Sequence, residues 1–424
     1  MLNPEIHKNL KYNLIVNLLD GGFFGFAIGF ASFVTILPLF VSTMTGSAIL
    51  IGLIPAIHSV GWQLPQLLTA DRVSRQKRYK PMVLWMTVQE RLPFIGLGIV
   101  AWYLPKLGNQ AGLVLTFGLL VWQGLGGGFT ATAWQSMIGK IIPSDRRATF
   151  YGAQSAAANL MASVSAVAAG FILEKLPSPQ DFVLCFLLAS LNMAISWYFL
   201  ALTREPESVP LTSASEQGVF WSRLRAILRR DLNFRWFLVV RMLSQLAVMA
   251  SAFYTVYVVR YHGMSEVGVG LMTGVLLGTQ IAANPLMGWI GDRWSHRAVM
   301  EIGIGSAVLS ALLAWLAPSP GWFYLVFILA GIANVAVWTI SLAMILEFGS
   351  ESERPAYIGL ANTLIAPATI LAPFLGGLLA DVAGYPAAFV TSAIGGLATL
   401  VVLQVFVRDP RRLNQVGPDP VFED

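Results

Sequence analysis

The 424-residue chain is 56% hydrophobic and only 12% charged, with a mean hydropathy of +0.67 and a net charge of +5. An ordinary soluble domain carries about twice that charged fraction, so a water-exposed globule, a disordered chain and a fibrous repeat are all excluded. What remains is a polytopic membrane protein, and the sorting of its basic residues explains the charge without nucleic acid.

In chain order, twelve apolar runs are long enough to span a bilayer: 13–40, 46–69, 81–104, 110–140, 149–173 and 181–203, then 234–260, 265–290, 298–317, 321–349, 357–383 and 386–407. They are continuous rather than alternating, which predicts helices and excludes a β-barrel. The chain thus divides into a six-span bundle (1–203), a linker (204–233), a second six-span bundle (234–407) and a tail (408–424). In the linker, Arg223, Arg225, Arg229 and Arg230 flank Leu224, Ile227 and Leu228, the pattern of a short amphipathic helix. With both termini in the cytoplasm, 22 of the 27 Lys and Arg fall on that side, which sets the expected orientation. No cleavable leader is expected, because the first run is too long and lacks a small-residue cleavage site. The single Cys185 and four scattered histidines offer no metal-ligand spacing.

The two bundles repeat each other. An offset of 221 places Asp71-Arg72 and Ser74 on Asp292-Arg293 and Ser295. An offset of 207 places Arg147, Gly152, Gly170, Phe182 and Val183 on Arg354, Gly359, Gly377, Phe389 and Val390. A parallel duplication of six helices predicts a pseudo-twofold axis along the membrane normal. The fold class expected is therefore an all-α membrane protein of twelve helices in two pseudo-symmetric bundles.

The loop after the second span reads Asp71-Arg72-Val73-Ser74-Arg75, and its copy reads Gly288-Trp289-Ile290-Gly291-Asp292-Arg293-Trp294-Ser295-His296-Arg297. Both resemble the Gly-x-x-x-Asp-Arg-x-Gly-Arg-Arg signature of the major facilitator superfamily, and the chain is similar to a bacterial-type transporter of that family over nearly its whole length. In the first copy Leu67 replaces the first Gly and Ser74 the second. The resemblance implies alternating access and a cytoplasmic latch made by Asp71, Arg72, Arg75, Asp292, Arg293 and Arg297. A loop carboxylate can accept hydrogen bonds from the free N–H groups at a neighbouring helix N-terminus, where the helix dipole also favours it.

Two departures weaken drug/proton antiport. Where antiporters of the family carry Arg in the fourth helix, three residues before Gln123-Gly124, this chain has Leu120. The fifth helix has no proline signature, and the nearest match is Ala372-Pro373-Phe374-Leu375-Gly376-Gly377 in the eleventh.

A charge at mid-span costs about 2.5–3.5 kcal/mol, so intramembrane charges are functional candidates. Asp20, Glu90 and Arg241 lie at one depth along helices one, three and seven, with Arg91 beside Glu90. We expect a neutral cluster in which Asp20 pairs with Arg91 or Arg241. Glu90 would take the other or a polar neighbour, because adjacent residues on a helix do not face each other. These four and His58 are the candidates for proton coupling or gating, with static ion pairs and a neutral core histidine as the alternatives. Glu301 and Glu347 sit near span ends, where water is expected to reach them.

Gln123 and Asn334, mid-span in helices that line the cavity in the resembled family, are expected substrate contacts. Trp122, Trp338, Gln154 and Asn362 join them, and Trp134 is a further stacking candidate. Interhelical hydrogen bonding and interfacial anchoring are the competing roles. No phosphate-binding loop or catalytic constellation is present, so ATP drive and enzyme chemistry are not expected, nor is a cofactor.

The sequence therefore reads as a monomeric secondary transporter of the bacterial plasma membrane. Its partners would be the lipid bilayer, a small neutral or amphipathic solute and protons. Export is the first expectation and uptake of a polar metabolite the second. A lipid flippase or a non-transporting receptor on the same scaffold are the alternatives of another class.

Overall fold

The computed structural model describes residues 4–33, 35–45, 48–207, 217–264 and 266–410. Linker residues 208–216 and the tail beyond 410 lie outside the described residues. The first half runs α1 (Pro4–Phe30), α2 (Ile36–Ser42), α3 (Ala48–Gln63), α4 (Gln66–Ser74), α5 (Lys80–Ile141), α6 (Arg147–Lys175) and α7 (Gln180–Ala201). The second runs α8 (Gln217–Arg230), α9 (Leu232–Val248), α10 (Tyr254–His262), α11 (Glu266–Arg293), α12 (His296–Leu316), α13 (Trp322–Val335), α14 (Ser341–Ile345), α15 (Arg354–Ala383) and α16 (Tyr385–Phe406). No strand occurs among the described residues.

Nine helical stretches among the described residues are long and apolar enough to cross a membrane, against twelve expected spans. One of the nine, α5, contains two of the expected spans. Its halves meet at Gly108, whose φ of 75° and ψ of 163° are open to glycine and break the helix. The second expected span is divided into α3 and α4 at Pro65, which has no N–H to continue the ladder. The eighth expected span is α11, continuous over 28 residues.

Other expected spans are also interrupted. The first ends at Phe30, and a turn in which Ser32 Oγ accepts from the Thr35 N–H leads into α2. The seventh breaks into α9 and α10 around a tight turn at Met249–Ala252. Ser392 satisfies the backbone freed there, accepting from the Ala250 N–H at 3.3 Å and donating to the Ala247 carbonyl at 2.8 Å. The tenth is α13 and α14, joined by a widened turn at Ala336–Ile340.

The described residues form two compact units. The first holds those of 1–143, 154–215 and 351–363, and the second those of 144–153, 216–350 and 364–424. Thus α6 begins in the second unit and α15 begins in the first.

Lipid offers no hydrophobic drive between helices, so close packing and hydrogen bonds must hold each unit. In the first unit, Phe40 meets Phe182 at 5.1 Å and Phe186 at 5.2 Å between ring centroids. In the second, Tyr254 meets Phe389, the repeat partner of Phe182, at 5.5 Å. Close crossing needs glycine: a Cβ on Gly25 would lie 2.2 Å from the Ala158 carbonyl oxygen.

The duplication shows in matching asparagine clasps. Asn13 of α1 donates to the Arg204 carbonyl at 2.8 Å and accepts its N–H at 2.9 Å. Asn233 of α9 makes the same pair of bonds to Arg408, at 2.9 and 2.7 Å. Each clasp joins the first and last spanning helices of one half. In α8, Leu224 and Ile227 are buried in the protein while Arg225, Arg229 and Arg230 are exposed, so the protein itself covers these two apolar positions.

Candidate functional site

The sequence placed Asp20, Glu90 and Arg91 at one depth, and the structure brings these three together in the first unit. Arg91 Nη2 lies 3.5 Å from Asp20 Oδ1, and Nη1 lies 3.9 Å from Glu90 Oε2. The expectation that Glu90 and Arg91 could not meet is therefore corrected: the long guanidinium stem curls back along α5 to reach the neighbouring carboxylate. Ser196 of α7 joins the set, donating to Asp20 Oδ1 at 2.6 Å and accepting from Arg91 Nη2 at 2.9 Å. Arg91 also donates to the Met193 carbonyl at 3.2 Å and to the Thr87 hydroxyl, and lies 5.6 Å from the centre of the Phe24 ring. Every donor of the fork that could be left bare inside the bundle is thus directed at an oxygen or a ring face.

These groups line a cavity of about 210 Å³ together with Trp62, Trp134, Thr130, Gln154 and Ser155. Gln154 is fixed by donating to the Asn17 carbonyl at 2.9 Å. A Cβ on Gly127 would come within 2.9 Å of Glu90 Oε1, so the bare backbone there gives the carboxylate its space. Among the described lining residues Arg91 is the only cation, facing two acids.

The other candidates fall elsewhere. Arg241 is buried in the second unit, and both contacts described for Asp20 lie in its own unit. His58 stacks on Phe33 at 4.0 Å and hydrogen-bonds Gln123 at 2.9 Å, so each engages the other. Trp122 is on an exposed face and donates to Gln89 at 2.9 Å. Asn362 donates to Gln66 at 2.7 Å and to Gln135 at 3.2 Å. Asn334 borders a void of about 10 Å³ beside Tyr254 and Ser310, and Trp338 is half-buried in the widened turn of the same unit. Of the six expected substrate contacts, only Gln154 lines the charged cavity.

The two Asp-Arg loops differ. Asp292 accepts from the Ala148 N–H at 3.1 Å and the Thr149 N–H at 2.6 Å, at the start of α6. Burial alone would raise its carboxyl; the bonds from His296 and Thr149 outweigh this and hold it below the ordinary carboxylate value. Asp71 instead pairs with Arg75 at 2.7 Å, and Arg72 is exposed. The repeat explains why. The residues equivalent to Ala148 and Thr149 are Pro355, which has no N–H, and Ala356, whose N–H already bonds the Glu353 carbonyl at 2.9 Å. Arg293 lies over Trp289 at 4.4 Å, and Arg297 pairs with Glu301 at 2.9 Å.

Sequence reasoning missed Trp62, Thr87 and Ser196, and also a buried Lys140–Glu205 pair at 2.9 Å. Glu205 also accepts the Tyr79 and Lys80 N–H groups at the start of α5, at 2.8 and 2.7 Å. The repeat offered a partial signal for this pair: the offset of 207 sets Lys140 on Glu347, and Glu205 follows Arg204 of the first clasp as Asp409 follows Arg408 of the second, so both positions are charged in each half.

A duplicated helical bundle, with nine stretches among the described residues long and apolar enough to cross a membrane, defines the class as a polytopic membrane protein. Residues 91–265 and 237–420 match the Major Facilitator Superfamily profile, and the chain belongs to that family. It is similar to the vesicular acetylcholine transporter unc-17 of Caenorhabditis elegans, at 31% identity over 31% of this chain and 25% of that protein. It is also similar to the class H tetracycline resistance protein of Pasteurella multocida, at 24% identity over 35% of this chain and 38% of that one. The matched region thus spans about a quarter to two fifths of the length of these relatives. Among solved structures, a bacterial homologue of the iron transporter ferroportin in an outward-facing state superposes with a TM-score of 0.75. That likeness has 14% identity and covers 93% of this chain and 98% of that one, a likeness of fold.

Proposed function

We propose that this protein is a proton-coupled exporter of a small amphipathic solute bearing a positive charge, working by alternating access in the bacterial plasma membrane with both termini in the cytoplasm. The observation that carries this reading is the cavity in which Asp20 and Glu90 face the single cation Arg91 among aromatic side chains. With both acids ionised the triad holds one net negative charge in a low-dielectric interior, which is costly unless a further cation joins it. A proton or the cationic group of a solute fills that role, and only one of them is needed. Mutual exclusion of the two at one site is sufficient for exchange transport. Phe24, Trp62 and Trp134 supply apolar and cation–π contact for the solute body. The named cargo of unc-17 and the resistance role in the name of the class H protein support a cationic or amphipathic solute and outward movement.

The test is flux in liposomes under an imposed pH gradient, using a panel of lipophilic amines and quaternary ammonium compounds. Glu90→Gln and Asp20→Asn should abolish gradient-driven flux while one-for-one solute exchange persists in at least one of them. Wild-type pH dependence in both variants would remove the coupling role. Equal flux of neutral and cationic members of the panel would remove the charge preference.

A further inference from the structure

Outside that cavity, and besides the Lys140–Glu205 pair, a further cluster of buried titratable groups has no part in the proposed function. It lies in the second unit, where His296 is fully buried at the start of α12. Its Nδ1 is 2.7 Å from Glu347 Oε1, and its Nε2 is 3.4 Å from Asp292 Oδ1. The ring sits there because Gly291 leaves space: a Cβ at that position would lie 2.6 Å from the His296 ring carbon Cδ2.

A neutral imidazole has one N–H and one lone pair, while an ionised carboxylate only accepts. With an acid oxygen facing each ring nitrogen, a neutral ring would direct its lone pair at one of the two acids. The imidazolium satisfies both, and it also offsets part of two negative charges removed from water. We propose that His296, Asp292 and Glu347 form a proton-binding site, separate from the cavity, that governs the grip of Asp292 on the first turn of α6. While the proton is bound, Asp292 is held against the Ala148 and Thr149 N–H groups. When it leaves, two buried carboxylates face each other across a neutral ring, and one of them turns toward water. The sign follows from the charge: a cation that completes the site contributes at lower pH, and its contribution is lost as pH rises. The grip is therefore an alkaline-release device.

Other charged groups lie on the elements around the ring or beside them in sequence. From α6, Arg147 donates to the Leu346 carbonyl at 3.1 Å, next to Glu347. From α11, Arg293 lies on Trp289, and on α12 itself Arg297 pairs with Glu301. Asp231 accepts the Phe234 N–H at the start of α9, Arg235 follows it, and Asp409 is buried after α16.

The test is amide hydrogen exchange of the peptide covering residues 147–151, in the full-length protein in lipid nanodiscs. Each rate is divided by the intrinsic rate at the same pH, between about pH 6 and pH 9. Wild-type protection should fall by about tenfold across that range, the size expected for losing one charge-assisted hydrogen bond. His296→Arg, which keeps a cation at the position where the resembled loop signature has arginine, should hold protection high throughout. His296→Gln should be low at both ends. A flat wild-type profile would overturn the proposal, and so would a wild-type-like fall in His296→Arg. Should His296→Gln fail to fold, as judged by its melting transition, the arginine variant and the wild type decide between them.

Discussion

At the scale of single residues, Arg91 is the group whose removal should cost most. It holds Asp20, Glu90, Ser196, Thr87 and the Met193 carbonyl from one buried position. Breaking a buried pair leaves an uncompensated charge, which costs about 3–5 kcal/mol. Arg91→Leu should therefore lower the melting temperature in detergent far more than Asp20→Asn does. Adding Asp20→Asn to Arg91→Leu should recover part of the loss. If the double variant is no more stable than Arg91→Leu, the destabilisation comes from lost packing rather than from bare charge.

Asp292 gives a residue-scale prediction in pH. Its folded value lies below the ordinary one, so its contribution is present above the unfolded value and is lost as pH falls through the folded one. Asp292→Asn should cost about 0.5–2 kcal/mol at neutral pH, the worth of a helix N-cap. The gap to wild type should close in acid as pH falls through the folded value, where the wild-type carboxyl takes up its own proton, and should narrow again at alkaline pH as the grip is released. A gap that persists unchanged in acid would assign the effect to shape instead of charge.

At the scale of helices, packing is set by where a side chain is missing. A Cβ at Gly25 would meet the Ala158 backbone at 2.2 Å, and one at Gly128 would meet the Gly61 carbonyl at 2.4 Å, whereas one at Gly118 would meet nothing within 4 Å. Gly25→Ala and Gly128→Ala should each destabilise by about 1–3 kcal/mol through forced helix separation. Gly118→Ala should be neutral or stabilise by up to about 1 kcal/mol, since alanine favours the helix. Melting curves of the three variants side by side check this. Equal effects at all three would mean that helix propensity, and not contact, governs these positions.

The breaks in helices divide by whether sequence announces them. Pro65 and Gly108 are local signals, visible as a missing N–H and a free φ. The turn at Met249–Ala252 is not local, because it depends on Ser392, more than 140 residues away, to satisfy its backbone. No periodicity in the seventh run reveals that partner.

At the scale of the whole molecule, hydropathy and duplication were legible because both are summed over many residues. Membrane character, the helical class and the family rest on that sum, and the profile match and the fold likeness agree with it. The charged cavity was legible in part, because Asp20, Glu90 and Arg91 are costly in lipid wherever they point. Their hydroxyl partners were not, since Ser196 and Thr87 resemble any other small polar residue in a span. Gln123 and Asn362 were expected to meet solute and instead bond His58 and Gln66. Depth along a helix can be counted from sequence, but the direction a side chain faces depends on the helix rotation that packing sets.

The asparagine clasps have a consequence for chain continuity. Each fastens the beginning of a half to its end, Asn13 to Arg204 and Asn233 to Arg408, so each half is closed on itself like a ring. A ring of this kind does not depend on the peptide connecting it to its neighbour. Residues 351–363, moreover, belong to the second half in sequence but to the first compact unit, which gives separate fragments a surface on which to recognise each other. Two fragments severed between positions 207 and 217 and produced together should associate into a particle that co-purifies and melts as one. The clasp would then be the weak point: Asn13→Ala should be tolerated in the continuous chain, yet it should abolish assembly of the severed one.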